Sequence, residues 1–370
     1  MDIIPALGYA AVDDRSFLGS GWRRAVGAVK RGIVMIAFRK MLALVGIALA
    51  TCIGWHNDSA AQTQSLTAFY TAPVASMAPM WIAKEVGFFK KNGLDVKLVF
   101  IASGPVGTAS VLGSETDVGI IGGFAPLRAM VGGAKGLVII GQSKNRITSK
   151  IVGKKDIASV QDLKGKRLGI DRIGSNPDMF AQAALSRFKI DTFKDLQYVQ
   201  LGDVGKVVAA LKAGAIDAGI AGAPHDLFAQ RLDFKVILDI DLLKIPFAAT
   251  VLMSGRDTVS RKQSELTRFT RAYAEAIHYF LTNPEGTAKV VTKYTQITDR
   301  EVLAYSINSE ATAMEKTLQV DPKGLELILE FIGKTVPQAA STKPEDFYDP
   351  RFFNDLRESG FLKKLWGDKL

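Results

Sequence analysis

The chain has 370 residues, 48% hydrophobic and 23% charged, which excludes intrinsic disorder and suits about two to three compact domains. A single cysteine excludes a disulfide scaffold, a cysteine-zinc site and an iron–sulfur cluster, and the three histidines (His56, His225, His278) lack ligand spacing, so no metal or cofactor is expected. The net charge of +10 is spread without a basic block or a nucleic-acid-binding motif, and no nucleic-acid partner is expected.

The N-terminus carries an address. Arg39 and Lys40 precede an apolar run, Met41 to Ile53, and the small residues Ser59, Ala60 and Ala61 follow. That order is a secretory signal peptide over 35–61, with cleavage after Ala61 and a periplasmic destination. The run is too short to span a bilayer, which needs about 20 residues. Residues 1–34 read as a spurious or disordered extension. Cys52 follows Thr51, where a lipoprotein signal has a smaller residue, so lipid anchoring is not expected and the mature chain has no thiol nucleophile.

Past the leader the spacing predicts strand 66–71, helix 78–86, strand 96–101, helix 106–112 and strand 118–121. A second unit follows the same order: strand 167–170, helix 177–188, strand 196–200, helix 204–213 and strand 218–221. Short apolar strands alternating with helices argue for parallel, two-sided sheets. The units also share sequence. Asp117-Val118-Gly119-Ile120-Ile121-Gly122 recurs one hundred residues later as Asp217-Ala218-Gly219-Ile220-Ala221-Gly222. Asp117 and Asp217 sit before short strands, where stabilising a turn is the expected role rather than catalysis.

After Leu243 the pattern changes to a strand over 247–253 and then to helices. Leu266, Phe269, Tyr273, Ile277 and Phe280 lie three and four apart, one face of a helix over 265–281. Thr298 to Glu301 reads as a capping box, and Asp321-Pro322 as a helix start. The expected fold class is α/β, two lobes, each a mostly parallel sheet flanked by helices. Lobe one is discontinuous, 64–145 plus 247–370, and lobe two is 149–244. Two chain crossings between them make a hinge.

An ordered series of segments then carries a resemblance: Gly87 to Val96 (GFFKKNGLDV), Asp117 to Ile120, Val160 to Gly169 (VQDLKGKRLG), Leu211 to Ala218 (LKAGAIDA) and Ala223-Pro224. The chain resembles the periplasmic solute-binding proteins of nitrate-, sulfonate-, taurine- and thiamine-pyrimidine-type ABC importers, strongly over 64–282. The resemblance implies a type II periplasmic-binding-protein fold and a monomer that captures a small solute, an organic anion or a heteroaromatic. Its further partners would be a membrane permease and an ATPase. A pyrimidine-synthase-like enzyme on the same fold and a periplasmic sensor are the alternatives.

In open α/β sheets, ligands sit beyond the carboxyl ends of the strands, near helix N-termini. The strand-end candidates in lobe one are Tyr70, Thr71, Val74, Ser103, Gly104, Gly122, Gly123 and Phe124. In lobe two they are Arg172, Gly174, Ser175, Asn176, Asp203, Pro224 and His225, flanked by Gly202 and Ala223. Gly174-Ser175-Asn176 can aim N–H groups and a hydroxyl at an acceptor. Tyr70 and Phe124 are candidates for stacking. Arg172 would suit a carboxylate or sulfonate, and Asp203 an amine.

Overall fold

A computed structural model describes residues 64–370; the extension over 1–34, the signal peptide over 35–61 and Cys52 lie outside the described residues. The first run of elements is β1 (Gln64–Tyr70), α1 (Ala78–Glu85), α2 (Phe88–Lys91), β2 (Leu94–Phe100), α3 (Gly104–Leu112), β3 (Val118–Ile121), α4 (Phe124–Val131) and β4 (Leu137–Arg146). The second is β5 (Lys150–Gly153), β6 (Arg167–Ile170), α5 (Asn176–Ser186), β7 (Gln197–Gln200), α6 (Lys206–Lys212), β8 (Ala218–Ala221), α7 (His225–Arg231) and β9 (Lys235–Asp239). The third is β10 (Pro246–Gly255), α8 (Arg256–Arg261), α9 (Gln263–Thr282), α10 (Pro284–Thr295), α11 (Arg300–Ala311), α12 (Pro322–Gly333), α13 (Arg351–Glu358) and α14 (Phe361–Trp366).

The expected α/β architecture is present as two five-stranded sheets, ordered β2-β1-β3-β10-β4 and β7-β6-β8-β5-β9. In each, the first three strands are parallel and the fourth runs against both of its neighbours. Each sheet is therefore mixed, with one reversed strand. The chain passes from the first sheet to the second between β4 and β5, and returns between β9 and β10. The strands β4, β5 and β9 lie beyond the repeated unit, and the repeat does not reveal them.

The duplication is visible atom by atom. The Asp117 amide donates to the Thr67 carbonyl while the Asp117 carboxylate accepts the Thr67 amide at 2.8 Å. The Asp217 amide donates to the Arg167 carbonyl while its carboxylate accepts the Arg167 amide at 3.1 Å. Each carboxylate also binds a cation, Lys262 for Asp117, and Lys154 and Arg167 for Asp217. The two acids thus fasten β3 to β1 and β8 to β6, rather than holding only their own turns.

Packing explains the glycines of the motif. Phe69 on β1 is fully buried, and its ring lies between Gly107 of α3 and Gly119 of β3, where an added Cβ on either would overlap it. Gly119→Ala is expected to cost about 1–3 kcal/mol through overpacking. At a domain of this size that lowers the melting temperature by about 2–4 °C per kcal/mol, which a thermal denaturation scan reads.

The apolar stripe of α9 is buried as its spacing predicts, with Phe269 stacked 5.0 Å from Phe89. Trp81 of α1 stacks on Tyr294 of α10 at 4.7 Å. Asp321 accepts the Lys323 amide and caps α12. The cap of α11 is Asp299, which accepts the amides of Glu301 and Val302, one residue later than the expected Thr298. A carboxylate at this position also favours the positive helix start.

Candidate functional site

The cavity between the lobes measures about 160 Å³ and is walled by both sheets' strand-end segments. A closed cavity of about 150 Å³ holds a benzene-sized molecule, so the space suits a small solute. Thr71, Val74, Ser103, Gly104 and Gly122 line it from lobe one, and Ser175, Asn176, Asp203 and His225 from lobe two. Ala223 lines it as well.

The remaining candidates lie elsewhere. Tyr70 packs edge-on against Trp81, 5.4 Å between ring centres, and Phe124 is 3% exposed inside the core, so neither faces the cavity. Arg172 is exposed and outside it. Gly123 gives its amide to the Ala248 carbonyl at 2.9 Å, and Pro224 is buried as the residue preceding α7. Gly174 donates its amide to Asp178 at 2.8 Å, and the Ser175 amide goes to the Arg172 carbonyl. The start of α5 is therefore bonded to its own carboxylate and turn. What it offers the cavity are the side chains of Ser175 and Asn176.

Asn176 reaches across the cleft. Its Nδ2 donates to the Ala249 carbonyl of β10 at 2.8 Å, and its amide lies so close to Gly122 that a Cβ there would overlap it. Of the buried side-chain polar atoms with no hydrogen-bond partner among the described residues, two belong to lining residues, Ser103 Oγ in lobe one and Asn176 Oδ1 in lobe two. An unmet polar group at a buried position costs about 1–3 kcal/mol, so such groups mark places where something else completes the bonding.

Among the lining residues not named by the strand-end rule as applied to the sequence are Lys144, Ser149, Asp171, Phe180, Thr250 and Glu310. Asp171 alone had a local signal, since it follows β6 directly. The Lys144 ammonium binds Glu310 of α11 and, at 2.6 Å, the Thr148 hydroxyl. Asp171 accepts the Ser175 hydroxyl, yet burial holds its carboxyl above the usual range. Burial pushes the His225 imidazole down, which keeps it uncharged at neutral pH. Among the described residues no His, Cys, Asp and Glu cluster is placed to hold a metal ion.

A second tie spans the lobes. Lys150 of β5 donates to Asp226 at 2.8 Å and to the Tyr305 hydroxyl of α11 at 2.7 Å, and that hydroxyl in turn donates to Asp226. The Asp226 contact raises the Lys150 ammonium above its ordinary value against the opposing cost of its burial. Tyr305→Phe removes the cross-lobe bonds and leaves the ring. Ligand release is expected to accelerate by about three- to tenfold, measured by stopped-flow dissociation.

Comparison with known proteins identifies the family and the fold. Residues 74–287 match the family described as NMT1/THI5 like, and the chain belongs to that family. A Bacillus subtilis relative named YtlA, described as a binding protein, is 26% identical over 224 residues, 58% of this chain and 66% of its own length. The periplasmic aliphatic sulphonate binding protein SsuA from Escherichia coli superposes with a TM-score of 0.63 at 18% identity, covering 77% of this chain and 99% of that one. The periplasmic nitrate-binding protein NrtA from Synechocystis gives 0.65 at 15% identity, covering 83% and 91%. The fold is that of the periplasmic binding proteins.

Proposed function

We propose that the protein is the solute-binding component of an ABC-type importer, working outside the cytoplasmic membrane. It would clasp one small solute between its lobes and present the closed form to a permease. The observation that carries this reading is the pair of unpartnered polar atoms, Ser103 Oγ and Asn176 Oδ1, brought to one cavity from opposite lobes. A solute bonded to both atoms has more contacts in the closed arrangement than in any open one. It therefore shifts the population toward closure by its differential affinity. The names of the relatives, binding proteins for sulphonate and nitrate among them, support the same reading.

Thermal shift against a library of small solutes tests it, followed by calorimetry and by chromatography of the recovered solute. The expected result is a marked rise in melting temperature with one chemotype, since a ligand bound only by the native state stabilises by mass action. That chemotype should be recovered unchanged. Recovery of a converted product would instead make the protein an enzyme.

A further inference from the structure

The inference concerns the chemical class of the solute, and it rests on the binding reading above. The charged groups lining the cavity are unbalanced. Lys144 is the only Lys or Arg among the lining residues, and its ammonium is engaged by Glu310 and Thr148. Against it stand three carboxylates, Glu310, Asp171 and Asp203. Arg172, the cation best suited by sequence to grip an anion, is exposed and does not line the cavity, its guanidinium lying beside Gly202.

The hydrogen-bonding inventory points the same way. Asn176 Nδ2 is spent on Ala249, which leaves Oδ1 as a buried acceptor in need of a donor. Asp203 accepts one amide, from Gly205 at 2.6 Å, and a carboxylate has room for several more. Asp171 holds a raised carboxyl, which a nearby cation or N–H donor would relieve. Lobe two therefore offers acceptors that want donors.

Lobe one is different. The start of α3 carries no acidic residue in its first turn, and its N-cap Ser103, 6% exposed, makes no capping bond. Two further helix starts at the cavity already have carboxylates, Asp178 on α5 and Asp226 on α7. The Ser103 hydroxyl at the start of α3 is therefore left to donate to an acceptor atom of a solute.

We propose that the solute is a small nitrogenous molecule, cationic or neutral at pH 7, that directs N–H groups at Asp171, Asp203 and Asn176 Oδ1 and an acceptor atom at Ser103. A fully anionic solute would set its charge among three carboxylates with no free cation to meet it, and is disfavoured.

An isosteric series tests the charge alone: benzamidinium, benzamide and benzoate, with nitrate and methanesulfonate as small anions. Each is titrated calorimetrically into the wild-type protein, Asp171→Asn and Asp203→Asn, with circular dichroism to confirm folding. Benzamidinium and benzamide are expected to bind and the three anions not to. Each Asn variant should weaken benzamidinium by about tenfold or more, as loss of a charged hydrogen bond implies. Tighter binding of benzoate, nitrate or methanesulfonate than of benzamidinium overturns the proposal, as does benzamidinium binding that neither substitution alters. Failure of every probe also overturns it. The binding reading itself falls only if, in addition, native mass spectrometry finds no solute of any charge carried by the purified protein.

Discussion

Gly122→Val is expected to weaken solute binding by about a hundredfold while leaving the melting temperature of the unliganded protein nearly unchanged, read by calorimetry and a thermal scan. The argument is one of space at the seam. Gly122 directly follows β3 in lobe one, and the Asn176 amide of lobe two lies where its Cβ would be. A valine there evicts Asn176 from its bond to Ala249 and stops the lobes short of contact. The loss falls on the closed form, since the overlapping group belongs to the opposite lobe. An affinity lost through closure differs from one lost through unfolding, and the two readouts separate them.

Asp217→Ala acts on stability. The carboxylate accepts the Arg167 amide, the Arg167 guanidinium at 2.8 and 2.9 Å, and the Lys154 ammonium at 2.6 Å. Hydrogen bonds to a charged group contribute about 1.5–3 kcal/mol each but are not additive within a cluster, so about 2–4 kcal/mol is expected in total. Urea denaturation reads this directly. The same residue gives a pH signature. The Arg167 guanidinium, bonded to Asp217, holds its carboxyl well below the usual carboxylate range. A depressed folded value means that its stabilisation is fully present above the unfolded value, about 3.9, and is lost as the pH falls from there through the folded one. Wild type should therefore lose stability steeply below about pH 4, and Asp217→Ala should lose less over that window. Parallel acid limbs for the two proteins would show that the carboxylate is not bonded as described.

The repeat was the most legible part of the chain because its physical requirement is local. An Asp before a short strand, with a glycine two residues later that admits a neighbouring side chain (Phe69 at Gly119, Val207 at Gly219), recurs where β3 is fastened to β1 and β8 to β6. The reversed and edge strands β4, β5 and β9 had no such partner in sequence. They pair with chain far away, Ile151 with Ile220 and Met253 with Ile139, and no local pattern reports such a register.

The site divided in the same way. Residues at strand ends, such as Ser103, Asn176 and His225, could be placed at the cavity because topology alone directs them there. Arg172 also follows a strand end, but its long charged side chain finds solvent instead. Lys144 and Glu310 lie 166 positions apart and reach the cavity from the edge strand β4 and the helix α11. Their meeting is a tertiary event that neither segment announces.

The most direct measurement is a crystal structure of the protein loaded with whichever solute raises its melting temperature most. The account predicts one intact small molecule within bonding distance of Ser103 on one side and Asn176 on the other. A solute seated outside the cleft, or touching a single lobe with Asn176 turned away, would contradict it.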